Sequence, residues 1–320
     1  MRFVLVFTMF FFAGLSSTKA QNLHSWVSPQ GSDGNACTAA SPCLTFSGAL
    51  QKTNAGGEIG CSTSGYYGPV YITKSITIDC SAVHAEISQN SFPGGIQVAI
   101  AASDTVVLRG LDLDCAYLSG QGSIPCIALD SSGTLIVDHV KVSGSIGSSP
   151  LYSGLWVSNN SAGLAKVVVT DSIFVHNGGS TTGAGILIRP ISAGGVQVSI
   201  DRVTVAGNTF GIAFDTSQTQ AGINATVSNS TVSSNTNDAI VAANGNGPIG
   251  VTIRNSQLIN NGFGTRSIGT GATVRVENTA IIGNSVGISA LSGGTLLTAG
   301  NNLVQANGTN GTFTGGVPLN

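Results

Sequence analysis

The stretch "VRVENTAIIGNSVGI", Val274–Ile288, repeats with small changes the stretch "ATVSNSTVSSNTNDAI", Ala225–Ile240. Each has an alternating apolar run, a polar anchor and, six positions later, Asn284 or Asn235. Sliding the phrase along the chain finds seven copies, anchored at Asp138, Asp171, Arg202, Asn229, Asn255, Asn278 and Asn301. The sixth-position residues are Gly144, Asn177, Asn208, Asn235, Asn261, Asn284 and Asn307, and the anchors lie 33, 31, 27, 26, 23 and 23 residues apart. Fainter copies precede them at "ITIDC", ending at Cys80, and at "VVLRG", ending at Gly110. Apolar pairs such as Val198 and Ile200 or Val274 and Val276 alternate before each anchor, as half-buried strands require. After the Asn, several copies resume with a small residue and a second strand: "GLWV", "GILI", "GIAF", "AIVA", "GISA". Two or three short strands in each 23–33-residue repeat make one coil of a solenoid. One coil cannot bury its own apolar face, but stacked coils share a core. Leucine-rich and helical repeats are excluded, because neither a Leu frame nor a 3.6-residue period is present. The expected fold is all-β: a single-stranded parallel β-helix of about nine coils, with a repeated Asn that takes left-handed turn geometry and whose amide bonds its counterpart in the next coil.

Composition agrees. Of 320 residues, 44 are Gly and only 8% are charged, which disfavours helices and favours short strands between turns. Residues 1–20 read as a signal peptide: Arg2, the apolar run "FVLVFTMFFFAGL", and small residues ending at Ala20. The apolar run falls short of the roughly 20 residues of a membrane span, so a secreted or periplasmic location without a stable span is expected. Without Arg2 and Lys19 the chain keeps 10 basic against 14 acidic residues, a net charge of −4. That balance excludes a nucleic-acid surface built on phosphate neutralisation. Six cysteines, Cys37, Cys43, Cys61, Cys80, Cys115 and Cys126, suit disulfides in an exported chain. Of 15 pairings, proximity favours Cys37–Cys43 and Cys115–Cys126, leaving Cys61–Cys80. No CxxC supports a zinc site.

The repeats from Cys80 to Gly308 resemble the right-handed parallel β-helix proteins of the pectin-lyase-like superfamily. The segment "WVSPQGSDGNACTAASPCLTFSGALQKTNAGGEI", followed by "GYYGPVYITKSITID", resembles their entry segment. There a short helix plugs the coil; here it would run near Leu44–Lys52, with Leu44, Phe46, Ala49 and Leu50 facing the core. The resulting division is 1–20 signal peptide, 21–75 cap and entry segment, and 76–320 β-helix. The resemblance implies lyases, hydrolases or epimerases of acidic polysaccharides, but also adhesins. Fold alone does not choose among them. No "DD", "GHG" or "RIK" is present, which speaks against hydrolysis by paired carboxylates.

Two columns carry chemistry. If Leu155, Ile186 and Ile212 point inward, then Trp156, Leu187 and Ala213 point outward, as do Asp130, Ser158, Arg189 and Asp215 two residues on. Tyr152 and Trp156 would stack on sugar rings, and Arg189 would bind a carboxylate. The competing reading packs Trp156 under a loop and pairs Arg189 with Asp215. The second column is "RGLDLDC": Asp112 and Asp114 share a face, Lys141 lies one coil on, and Arg109 lies one coil from Asp79. In a lyase, Asp112 and Asp114 would hold Ca²⁺ beside Lys141 as base. Its alternative is a surface ladder of ion pairs, like that expected for Arg254 and Glu277. The four histidines are scattered, and only His139, beside Asp138, is suggestive. The leading expectation is a non-catalytic exported protein that needs no cofactor. It would bind an extended polysaccharide, a cell-surface glycan or another surface partner through Tyr152, Trp156, Arg189, Asp215 and Asp130. The alternatives are a Ca²⁺-assisted polysaccharide lyase using Asp112, Asp114 and Lys141, and a structural or adhesin-like module. An uncapped C-terminal end would invite end-to-end self-association.

Overall fold

The computed structural model describes residues 22–88, 95–116, 125–147, 152–179 and 182–317. The expected signal peptide lies outside them. The chain winds into a parallel β-solenoid of about ten turns, with three sheets of 12, 9 and 10 strands running along the axis. Each turn adds one strand to each sheet, so its backbone donors and acceptors are met by the turns on either side. Side chains alternate along most strands: in Gly133–Asp138 the residues Leu135 and Val137 are fully buried, while Ile136 is partly exposed. The buried residues form one continuous core from Val27 to Leu296.

Left-handed backbone at two corners turns the chain. The first holds Gly110, His139, Asp171, Arg202, Asn229, Asn255 and Asn278, with φ from 42° to 66°. The second holds Gly144, His176, Gly207, Ser234, Asn260, Gly283 and Ala306. Two sequence expectations need correction here. The earliest anchor is His139, not Asp138, since Asp138 pairs with Thr170 inside the strands. The repeated Asn is also not the left-handed residue; it follows that residue and turns inward. Asn177, Asn208, Asn235, Asn261 and Asn284 are buried, and each Nδ2 donates to the next Oδ1 at 2.9–3.0 Å. The same oxygens accept backbone N–H groups, beginning with Ser145. At the far end Asn310 supplies the last Oδ1 to Asn307.

This ladder explains the recurring glycine. A Cβ on Gly211 would lie 2.5 Å from Val232 Cγ1 and 3.0 Å from Asn235 Nδ2, and Gly185 and Gly264 meet the same obstruction. Glycine therefore lets the chain pass over the ladder.

The cap forms as expected but shorter. The helix is Phe46–Lys52, with Thr45 capping its N-terminus through a bond from Gly48 N. Phe46, Ala49 and Leu50 are buried, whereas Leu44 precedes the helix and is exposed, contrary to expectation. Lys74 Nζ donates to the Leu50 carbonyl at 2.8 Å and also to that of Thr53, satisfying acceptors at the helix end. All three expected disulfides form: Cys37–Cys43, Cys61–Cys80 and Cys115–Cys126. Such bonds suit an oxidising compartment. Among the described residues, no helix is long and apolar enough to cross a membrane.

Candidate functional site

The outward face of the nine-stranded sheet carries the first candidate column. Strands Leu155–Val157, Ala184–Ile188 and Phe210–Asp215 pair in parallel, with Trp156 opposite Leu187 and Leu187 opposite Ala213. Leu155, Ile186 and Ile212 are fully buried, so the expected inward set is correct. The next column runs Asp130, Ser158, Arg189, Asp215; Ser158, expected to face out, is fully buried, whereas the other three are partly exposed. Ser158 Oγ donates to Asp130 Oδ1 at 2.9 Å, and burial pushes the Asp130 carboxyl above its ordinary range against that bond. Tyr152 is almost covered, and Trp156 is half-buried with Nε1 shut off from water and without an acceptor. Neither is an open platform for a sugar ring.

Beside them lies a groove of about 310 Å³, lined by Leu187, Arg189, Phe210, Ala213, Asp215, Val241 and Arg266 among others. Asp130, Tyr152 and Trp156 do not line it, so the candidate set divides between the groove and its flank. No ion pair joins Arg189 to Asp215. Arg189 Nε is buried without an acceptor, while Asp215 Oδ1 accepts from Ser217 N at 2.7 Å. Arg266, which sequence reasoning missed, is already committed. Its guanidinium grips the fully buried Asp238 by two bonds and lies 4.1 Å from the centre of the Phe263 ring. Its signal was present in "NDAI" and "FGTR": the register places Val241 opposite Arg266, with Asp238 and Phe263 on the same two strands.

The second candidate column lies on the ten-stranded sheet and the corner before it. Asp112 and Asp114 flank the buried Leu113, and Lys141 stands opposite Asp112 as expected. A concavity of about 470 Å³ gathers Arg109, Asp112, Asp138, His139 and Lys141. Its charges are already matched. Lys141 Nζ donates to both oxygens of Asp112, at 3.0 and 3.3 Å. Arg109 bridges Asp138 at 2.8 Å and Asp79 at 3.1 Å. Burial opposes ionisation of Asp138, but bonds from Arg109, His139 and Thr170 prevail and hold its carboxyl below the ordinary range. Asp114 Oδ1 accepts from Ala116 N. A calcium ion seeks six to eight oxygens and would have to displace Lys141 to reach Asp112. Asp138, His139 and Asp171 also bring ligand atoms within 4.8 Å of one another, but Arg109 and Arg202 already occupy the two carboxylates. The ion pair expected between Arg254 and Glu277 is absent although the two stand in register.

No protein-family model matches the chain, and no curated protein matches it. Among solved structures, pectate lyase Pel9A superposes with a TM-score of 0.54 at 16% identity, covering 91% of this chain and 80% of that one. A rhamnogalacturonan lyase gives a TM-score of 0.38 at 13% identity, covering 79% and 82%. At these identities the likeness to Pel9A concerns architecture: the chain has the pectin-lyase-like parallel β-helix fold.

Proposed function

We propose that this β-helix is a non-catalytic exported protein that binds an acidic polysaccharide, free or on a cell surface, along the outward face of its nine-stranded sheet. One observation carries the reading. Arg189 lines a groove with its Nε desolvated and unanswered, a state that an incoming carboxylate would relieve. Asp215 would stand beside the bound chain in the groove, while Asp130, Tyr152 and Trp156 form its flank without offering an open stacking face. The fold also occurs in Pel9A, a pectate lyase, and acidic glycans are compatible with Arg189, the one cation of this groove without a carboxylate partner among the described residues.

The rival lyase reading draws on the charged concavity lined by Asp112 and Lys141, with Asp114 two residues on and outside its lining. There Lys141 Nζ is engaged by the Asp112 carboxylate, so the candidate base and a candidate calcium ligand are already spent on each other. The test is retention of the mature chain on immobilised polygalacturonate, with and without Ca²⁺, together with the ultraviolet absorbance of unsaturated uronides. Retention that drops in Arg189→Gln, without new absorbance, is the expected result. Absorbance that vanishes in Asp112→Ala would replace this function with lyase activity. Neither retention nor absorbance would leave a structural or adhesive module.

A further inference from the structure

We propose that the Arg189–Asp215 groove binds a free α-amino acid with a large apolar side chain. This goes beyond the glycan reading, with which it shares Arg189. Leu187, Phe210, Ala213 and Val241 give the groove apolar walls. Arg189 and Asp215 follow Ile188 and Phe214, which are register partners, so the two charges stand one coil apart, about 4.8 Å along the axis. Aspartates placed about one coil from an arginine close onto it elsewhere on this surface: Asp79 and Asp138 on Arg109, Asp171 on Arg202, Asp238 on Arg266. Arg189 and Asp215 stay apart. Arg254 and Arg275 are unpaired too, but both are exposed to water, whereas Arg189 has its Nε buried without an acceptor.

An anion and a cation held side by side above apolar walls complement a zwitterion. The ligand carboxylate would take the Arg189 N–H groups, its ammonium would donate to Asp215, and its side chain would lie on Leu187, Ala213 and Val241. A plain anion would answer Arg189 alone and a plain cation Asp215 alone; an amino acid answers both and leaves the charge of the groove unchanged. Arg266 does not compete for the carboxylate, because Asp238 holds it. The volume of about 310 Å³ sits at the lower end of the range of roughly 300–1,000 Å³ for small-molecule sites.

The test titrates the mature chain with L-phenylalanine and L-leucine by calorimetry. Two analogues accompany them: 3-phenylpropionate, which lacks the ammonium, and phenylalaninamide, which lacks the carboxylate. Saturable binding of L-phenylalanine is expected, with each analogue weaker by about ten-fold or more, since each loses one charge-assisted pair. Arg189→Gln should erase the advantage over phenylalaninamide, and Asp215→Asn the advantage over 3-phenylpropionate. No saturable heat with either amino acid, or analogues that bind as tightly as L-phenylalanine, would overturn the proposal. Arg189-dependent retention on polygalacturonate without amino-acid binding would overturn it and leave the glycan reading standing. Amino-acid binding without retention would do the reverse.

Discussion

Asn235 offers a sharp test of the ladder. Its Oδ1 accepts from Asn208 N and Asn208 Nδ2, both at 3.0 Å, and its Nδ2 donates to Asn261 Oδ1 at 2.9 Å and to the Val205 carbonyl at 3.4 Å. Asn235→Ala removes the acceptor. Asn208 N–H is then orphaned, while Asn208 Nδ2 keeps the Phe174 carbonyl at 3.1 Å. Asn261 Oδ1 keeps the backbone N–H of residue 235. The net loss is one whole buried donor and half of another. At about 1–3 kcal/mol for each orphaned group, the expected cost is about 1.5–4.5 kcal/mol. Asn224→Ala, at an exposed position, should stay within about 0.5 kcal/mol. Asn235→Asp discriminates further. It keeps Oδ1, but turns the second oxygen toward Asn261 Oδ1 and the Val205 carbonyl, both acceptors. Only the protonated acid can donate there, so its folded-state pKa is raised above the unfolded value of about 3.9. Stability should therefore be close to wild type below about pH 4, and should fall as pH rises through the raised value. Urea unfolding followed by far-ultraviolet circular dichroism at pH 3.5 and 7 measures both effects. Equal stabilities of Asn235→Ala and Asn224→Ala, or an Asn235→Asp variant indifferent to pH, would refute the ladder as a source of stability.

Other expectations follow from the same physics. Asp79 and Asp138 have lowered pKa values, so their contribution is present above the unfolded value of about 3.9 and is lost as pH falls through their folded values. Arg109→Gln should flatten that acid slope in urea titrations between pH 2 and 5; an unchanged slope counts against the Asp79–Arg109–Asp138 bridge. Asp130 has the opposite sign, because burial raises its pKa. Asp130→Asn should therefore gain stability relative to wild type at pH 7 and lose that gain on acidification, as paired melts would show. Gly211→Ala forces a Cβ to 2.5 Å from Val232 Cγ1 and should destabilise by about 1–3 kcal/mol in denaturant unfolding. Replacing Cys61 and Cys80 by Ser opens a link across 19 residues and should cost about 3 kcal/mol, read as a lower urea midpoint.

What could be read from sequence follows from what repeats. Strands, inward columns and the Asn ladder recur every turn, so period and alternation were enough to place Leu155, Ile186 and Ile212 inside. The His139 corner was misplaced by one residue because Ser145, not Gly144, occupies the ladder position there and lacks the Asn signature. Leu44 was assigned to the helix because apolarity alone cannot see that Thr45 caps the helix after it. Side-chain pairing was the least legible level. Register set Arg254 beside Glu277 and Arg189 beside Asp215, yet neither pair closes, while Arg266 reaches Asp238 across a neighbouring coil. Long side chains choose among rotamers that a one-dimensional pattern does not encode.

The ladder also governs how such a protein changes length. Every rung donates toward the later coil and accepts from the earlier one, so all rungs are interchangeable and aligned in one sense. A segment spanning one rung to the next can be duplicated or deleted, and the flanking amides meet again with their donors and acceptors matched. A partial segment would leave a donor facing a donor or an apolar side chain. Size in this lineage is therefore expected to vary in whole steps of about 4.8 Å, with Phe46 closing one end, Asn310 ending the amide series, and any number of copies between.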